Sequence, residues 1–397
     1  MAGNHLVCNT VCYGECKLRV LLSVLVLTFA APLSAEILAQ QLPGFYQQLK
    51  AEQQFSAAWR PDSAQSIQLW RTEARQLLRD ALLWPEQPLD FAAEQLMVEQ
   101  RDGYQAERWQ LNLTPENRVT VSVLRPAGEG PFPAVLLLHD HGAYFLIGKA
   151  KLIKPFARDP DLAKAEAWTK RYYDGRFIGD ELAAQGYLVL AADSLGFGER
   201  GPLNADAQQA LAANFFQLGR SLAGLAAYED LRLAAFLTQL PQVDNTRIAA
   251  LGFSMGGFRA WQLAALTDDI KAAATISWMT TSDTAMTLGN NQLRGQTAFW
   301  MLHPGLAAKL DYPHMAGIAA PKPALFISGA KDRLMPAVGT EQAFATMRQI
   351  WQAHGAGEKL VTELWPEYGH QFSVAQQQRV WRWLEEVFAK PAAADNH

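Results

Sequence analysis

Apolar residues follow three spacings along this chain. From Pro43 to about Leu83 the sequence is rich in Gln, Ala, Leu and Arg, and Leu69, Trp70, Ala74, Leu77, Leu78 and Leu82 recur at the spacing of one helix face. That recurrence predicts a helical preface to the main fold. Further on, Arg108–Leu113 and Val119–Leu124 alternate polar and apolar residues around Thr114-Pro115-Glu116-Asn117, the mark of a half-exposed antiparallel hairpin.

The pattern then changes to unbroken apolar runs at Ala134–Leu138, Tyr187–Ala192, Ile248–Leu251 and Ala272–Ile276, followed by Ala324–Ile327 and Leu360–Leu364. Strands covered on both faces read this way, and parallel ones usually are. Helical segments are predicted between them at about 178–185, 221–240, 255–266, 340–353 and 374–389. The last opens with Ser373 and Gln376 at capping-box spacing and sets Val380, Trp383, Leu384 and Val387 on one face. Strand and helix alternate, so the expected fold class is α/β: a doubly wound, mostly parallel sheet with an N-terminal helical extension and an antiparallel hairpin. Ligands of such a sheet sit beyond the carboxyl ends of its strands. The connections at about 143–176 and 279–322 are unusually long, which predicts lids or binding walls.

Composition narrows the picture. The 397 residues are 49% apolar and 19% charged, enough for a sizeable core and unlike a disordered chain. Net charge is −4 without a Lys/Arg run, so nucleic acid is not an expected partner. Cys8, Cys12 and Cys16 are the only cysteines; no thiol nucleophile or disulfide framework can operate beyond them. After Lys17 and Arg19, the uncharged stretch Val20–Ala35 closes on Leu33-Ser34-Ala35 and reads as a secretory signal peptide, too short for a span of ~20 residues. The expected organisation is a leader over 1–35, a helical extension over 36–100 and the main α/β domain over 101–397. The product would be secreted or periplasmic, with no stable membrane span.

Ile248–Leu251 runs into Gly252-Phe253-Ser254-Met255-Gly256-Gly257 and then a helical stretch. A nucleophilic oxygen must protrude from a tight strand-to-helix turn, and only small residues at 252 and 256 let the two backbones approach. The helix start places N–H groups where an oxyanion forms, with Met255 N–H as one donor. A serine needs a base, and the base an orienting carboxylate. Asp332 follows the strand at Ala324–Ile327, and His370 lies between the last strand and the final helix. The turn Leu138-His139-Asp140-His141-Gly142-Ala143-Tyr144 supplies the second oxyanion donor, the N–H of His141 or of Gly142. His139-Asp140-His141 also allows a metal reading, but no third histidine follows at suitable spacing. The favoured chemistry needs no metal and no cofactor.

These residues, with Ala192–Gly201 and the Pro241-x-x-Asp244-x-x-Arg247-Ile248 pattern, resemble the α/β-hydrolase superfamily and its dienelactone hydrolase-like and acetyl xylan esterase-like branch, from about Arg108 to Lys390. The resemblance implies a triad of Ser254, His370 and Asp332 acting on carboxylic esters through an acyl-enzyme. Dienelactone hydrolases proper carry cysteine where this chain has Ser254, so their substrate is not implied.

Tyr144, Trp278 and Trp300 fall in or beside the long connections, where their rings either stack on a sugar or simply pack. The expected partner is a small-molecule or carbohydrate ester. Two rivals stand beside this reading. A serine peptidase of the same fold shares the serine turn, but the stretch before the hairpin is too short for a propeller at ~40–45 residues per blade. A non-catalytic binding protein on the scaffold would be expected to have lost part of the triad.

Overall fold

Unbroken apolar runs become strands buried on both faces. The computed structural model describes residues 45–83, 90–286 and 298–389. Strands β1 (Glu94–Arg101), β2 (Tyr104–Thr114), β3 (Asn117–Pro126), β4 (Phe132–Leu138), β5 (Leu188–Ala192), β6 (Val243–Phe253), β7 (Ala272–Ile276), β8 (Ala324–Gly329) and β9 (Leu360–Trp365) form one nine-stranded sheet in the order β1-β2-β3-β5-β4-β6-β7-β8-β9. β1, β2 and β3 pair antiparallel, β3 also with β5, and every pairing from β5 across to β9 is parallel. The expected hairpin is β2–β3, the apolar runs are β4 to β8, and the last expected strand is β9, which carries Thr362 and Glu363 and is mostly half-buried.

The helices are α1 (Phe45–Ala51), α2 (Ile67–Leu82), α3 (Leu162–Tyr172), α4 (Ile178–Ala184), α5 (Ala205–Gln217), α6 (Leu222–Gln239), α7 (Met255–Leu266), α8 (Ser282–Ala285), α9 (Tyr312–Gly317), α10 (Ala337–Ala353) and α11 (Val374–Phe388). The chain divides into two compact units, Met1–Glu52 and Gln53–His397. Within the second, successive strand residues point to opposite faces. Leu136, Leu138, Leu190 and Ile248 join a core with α2, α6, α7 and α10. Val135, Leu137, Val189 and Leu251 join another with α3, α4 and α11. Helices thus cover both faces, as a doubly wound sheet requires. Among the described residues no helix is long and apolar enough to cross a membrane.

Two expectations change. The extension expected to be helical over 36–100 ends in strand β1, turned onto β2 through Asp102 and Gly103, the latter at φ +82°; Asp-Gly between two runs is a hairpin signal. Leu69, assigned to the apolar face of α2, is 51% exposed. The buried stripe is Ile67, Trp70, Ala74, Leu78 and Leu82, and Leu69 lies off it. Helices α3 and α5 were not legible, because neither presents a long apolar stripe: α5 buries only Gln208 and Ala212. The leader expected over 1–35 lies outside the described residues, as does the 287–297 part of the second long connection.

Candidate active site

The chain leaves β4 for β5 on one side and returns to β6 on the other, so strand order reverses between β4 and β6. Ligand crevices open at such switch points. Leu138 pairs with Gly252, and the turns after β4 and β6 therefore emerge side by side.

Ser254 joins β6 to α7 with φ 56° and ψ −125°, a conformation that costs a non-glycine residue about 1–3 kcal/mol. Its N–H donates to the Ile276 carbonyl at 2.8 Å. The flanking glycines make the bend possible. A Cβ on Gly252 would lie 2.2 Å from the Gly256 carbonyl carbon, and one on Gly256 only 1.9 Å from the Leu138 oxygen. Met255 opens α7, so its N–H has no acceptor one turn earlier within the helix.

The loops after β8 and β9 converge on Ser254. The imidazole of His370 accepts from Ser254 Oγ at Nε2 over 2.9 Å and donates from Nδ1 to Asp332 Oδ2 over 2.8 Å. Asp332 is 3% exposed, and its Oδ1 accepts from the N–H groups of Leu334 (2.8 Å) and Met335 (3.2 Å). Two fixed donors on one oxygen leave the other aimed at the imidazole. His370 sits beside the Phe253 ring at 4.8 Å. Its loop and the first turn of α11 are tied to the first long connection, through Phe372 N–H to the Tyr172 carbonyl at 2.8 Å and Gln377 Nε2 to the Tyr173 carbonyl at 3.0 Å. The structure thus joins the serine, histidine and aspartate that sequence reasoning singled out.

In the turn after β4, Gly142 and Ala143 are exposed while His139, Asp140 and His141 are buried. Gly142 has φ +57°, and a Cβ there would lie 2.2 Å from the Trp168 ring. Both histidines are committed. His139 Nδ1 donates to the Asp140 carbonyl (2.9 Å) and its Nε2 accepts from Ser194 N–H (3.0 Å). His141 Nδ1 accepts from Ala143 N–H (3.0 Å) and its Nε2 donates to Gln208 Oε1 (2.7 Å). Burial pushes His141 down to about 4 and His139 well below its ordinary range, so both rings are neutral at pH 7.

The aromatic candidates separate. Tyr144 is half-buried and stacks on Trp168 with centroids 5.2 Å apart and planes 7° from parallel. Trp278 and Trp300 are each 1% exposed, which corrects their candidacy as substrate platforms. Trp278 packs edge-on against Phe258 and Tyr312. Trp300 packs against Phe197 and donates to Gln208. Sequence reasoning missed Trp168 and Gln208, which have no motif, and Lys151, whose only signal was a pair of lysines, Lys149 and Lys151, set in the otherwise apolar stretch Phe145–Ile153.

A family model described as an abhydrolase family matches residues 40–364. A Bacillus subtilis (strain 168) protein described as a hydrolase, YtaP, is 29% identical over 269 residues, covering 68% of this chain and 83% of the relative. A Bacteroides fragilis NCTC 9343 structure described as an acetyl xylan esterase superposes with a TM-score of 0.63 at 19% identity, over 82% of each chain. A glucuronoyl esterase from Solibacter usitatus superposes with 0.60 at 13% identity, over 85% of this chain and 100% of the other. At those identities the likeness speaks for the fold, and the family match covers more than half of the sequence: the chain belongs to the abhydrolase family.

Proposed function

We propose that this chain is a serine carboxylic ester hydrolase. The observation that carries the reading is the continuous hydrogen-bonded line from Ser254 Oγ through His370 to a buried Asp332 carboxylate. As the Oγ attacks an acyl carbon, His370 Nε2 takes its proton, and the imidazolium so formed is stabilised by Asp332. The tetrahedral oxyanion is received by Met255 N–H and by the N–H of His141 or Gly142. Collapse breaks the ester bond, and His370 returns the proton to the departing alkoxide. Water then repeats the sequence on the acyl-enzyme and frees the acid and Ser254.

Acylated carbohydrate is the favoured substrate class. Its support is the shared fold of proteins described as acetyl xylan and glucuronoyl esterases, with the half-buried Tyr144 beside the turn as the ring available to a sugar. Export by the segment Val20–Ala35 belongs to the same reading, and N-terminal sequencing of protein recovered outside the cytoplasm tests it.

Turnover of a short-chain p-nitrophenyl ester by wild type and by Ser254→Ala tests the chemistry. Loss of the nucleophile is expected to cost at least ~10⁴ in kcat; a Ser254→Ala enzyme with wild-type turnover refutes the assignment. A panel of acetylated xylan, a glucuronoyl ester and a peptide amide tests the class, with the amide expected to be the poorest substrate.

A further inference from the structure

Lys151 closes the short turn Lys149–Lys151, and its side chain has no exposed surface. Burial lowers its pKa from the usual lysine value, so an ammonium here is costly unless its donors are used. An ion pair explains it poorly, because the nearest carboxylate oxygen, Asp140 Oδ1, is 3.5 Å away. The other oxygen of that carboxylate accepts from Tyr173 Oη (2.7 Å) and Trp168 Nε1 (3.1 Å). The short hydrogen bonds of Lys151 Nζ go to main chain: the carbonyls of Asp140 and of His141, each at 2.9 Å. The rings of Trp168 and Phe197 flank the ammonium at 4.7 and 5.1 Å.

In a trans peptide the carbonyl and the following N–H point in opposite directions. A buried cation that draws the carbonyls of Asp140 and His141 inward therefore turns the N–H groups of His141 and Gly142 outward. Gly142 is exposed and Ser254 half-buried, and the pairing of Leu138 with Gly252 brings their two turns out side by side. The turn also needs holding, because Gly142 and Ala143 are both left-handed, at φ +57° and +51°, and a non-glycine residue there stores strain.

We propose that Lys151 is the positioning residue of the oxyanion hole, fixing two consecutive peptide planes so that their N–H groups face the acyl oxygen. Its charge also polarises both amides, which strengthens their outward donors. The inference rests on the ester-hydrolase reading above.

Lys151→Met keeps the length and apolar stem and removes the donors. The expected result is a fall in kcat per active site of ~10² to 10³, the usual cost of one oxyanion-hole donor, with KM little changed. Lys151→Gln, which retains an amide donor, should fall between Met and wild type. Active sites are counted by labelling with a fluorophosphonate, so a purely structural role, which lowers the labelled fraction and leaves kcat per site intact, overturns the proposal. Failure of the underlying reading looks different: wild type is then not labelled at Ser254. If Lys151→Met does not fold, the crystal structure of the wild-type phosphonyl adduct replaces it. The phosphonyl oxygen is expected on the N–H of His141 or Gly142 with Lys151 Nζ still on both carbonyls; an oxygen bonded to Nζ itself, or to neither amide, overturns the proposal.

Discussion

The two sides of the site are built by different means. On the side of Ser254, backbone packs on backbone: Gly252 against Gly256, Gly256 against Leu138, and Gly329 against Tyr368, whose oxygen would lie 2.2 Å from an added Cβ. On the side of His141, side chains from the first long connection hold the backbone: Lys151 on two carbonyls, Trp168 against Gly142, and Gln208, from beyond β5, on the His141 ring. Close backbone contact permits only glycine and so leaves a motif. A buried side chain holding a carbonyl leaves almost none, since many residues far apart in sequence could do the same.

Substitutions on either side separate the two constructions. Asp332→Asn leaves the backbone side intact and removes only the carboxylate that orients His370. By the behaviour of triads elsewhere, kcat should fall about 10⁴-fold with the urea midpoint moved far less; equal loss of stability and activity would make Asp332 a structural residue. Gly142→Ala drives a methyl group to 2.2 Å from the Trp168 ring at a left-handed position. It should displace the opposite side and lower kcat by ~10² to 10³, while fluorophosphonate still reaches Ser254; unchanged kcat would detach that turn from catalysis.

Acid should loosen the buried histidines. Burial pushes His303 down to about 3 and His141 to about 4, from an ordinary 6.5. The unfolded chain binds those protons near 6.5 and the folded one does not, so stability should fall as pH drops from about 6.5 toward 4, by up to about 1.4 kcal/mol per pH unit for each group. Urea midpoints across that range check it, and His303→Gln should flatten part of the slope. The smallest effect is expected from Trp300→Phe, which removes one hydrogen bond to Gln208. About 1 kcal/mol of stability should be lost with KM unchanged, and a large KM change would restore Trp300 to the substrate's side.

What was legible follows the same division. The five apolar runs, the serine turn and the loops bearing Asp332 and His370 could be read because strand burial and glycine crowding act on neighbouring residues. β1 was hidden because Leu96, Met97 and Val98 are an apolar run left 46, 47 and 45% exposed at a sheet edge, so neither alternation nor burial marks it. Trp278 and Trp300 sit in connections where a ring can face solvent or core, and only tertiary packing decides. Asp193 is paired with Lys149, Glu199 with Arg108 and Lys149, and Arg200 with Glu229, partners that spacing does not reveal.

The serine mechanism is tested most directly by quenching turnover of an acetyl ester with acid within the first seconds and mapping the protein's peptides by mass. One acetyl group is expected on the peptide containing Ser254 in wild type, and none in Ser254→Ala. Full turnover without any acylated intermediate, or an acetyl group on another residue that persists in Ser254→Ala, would contradict it.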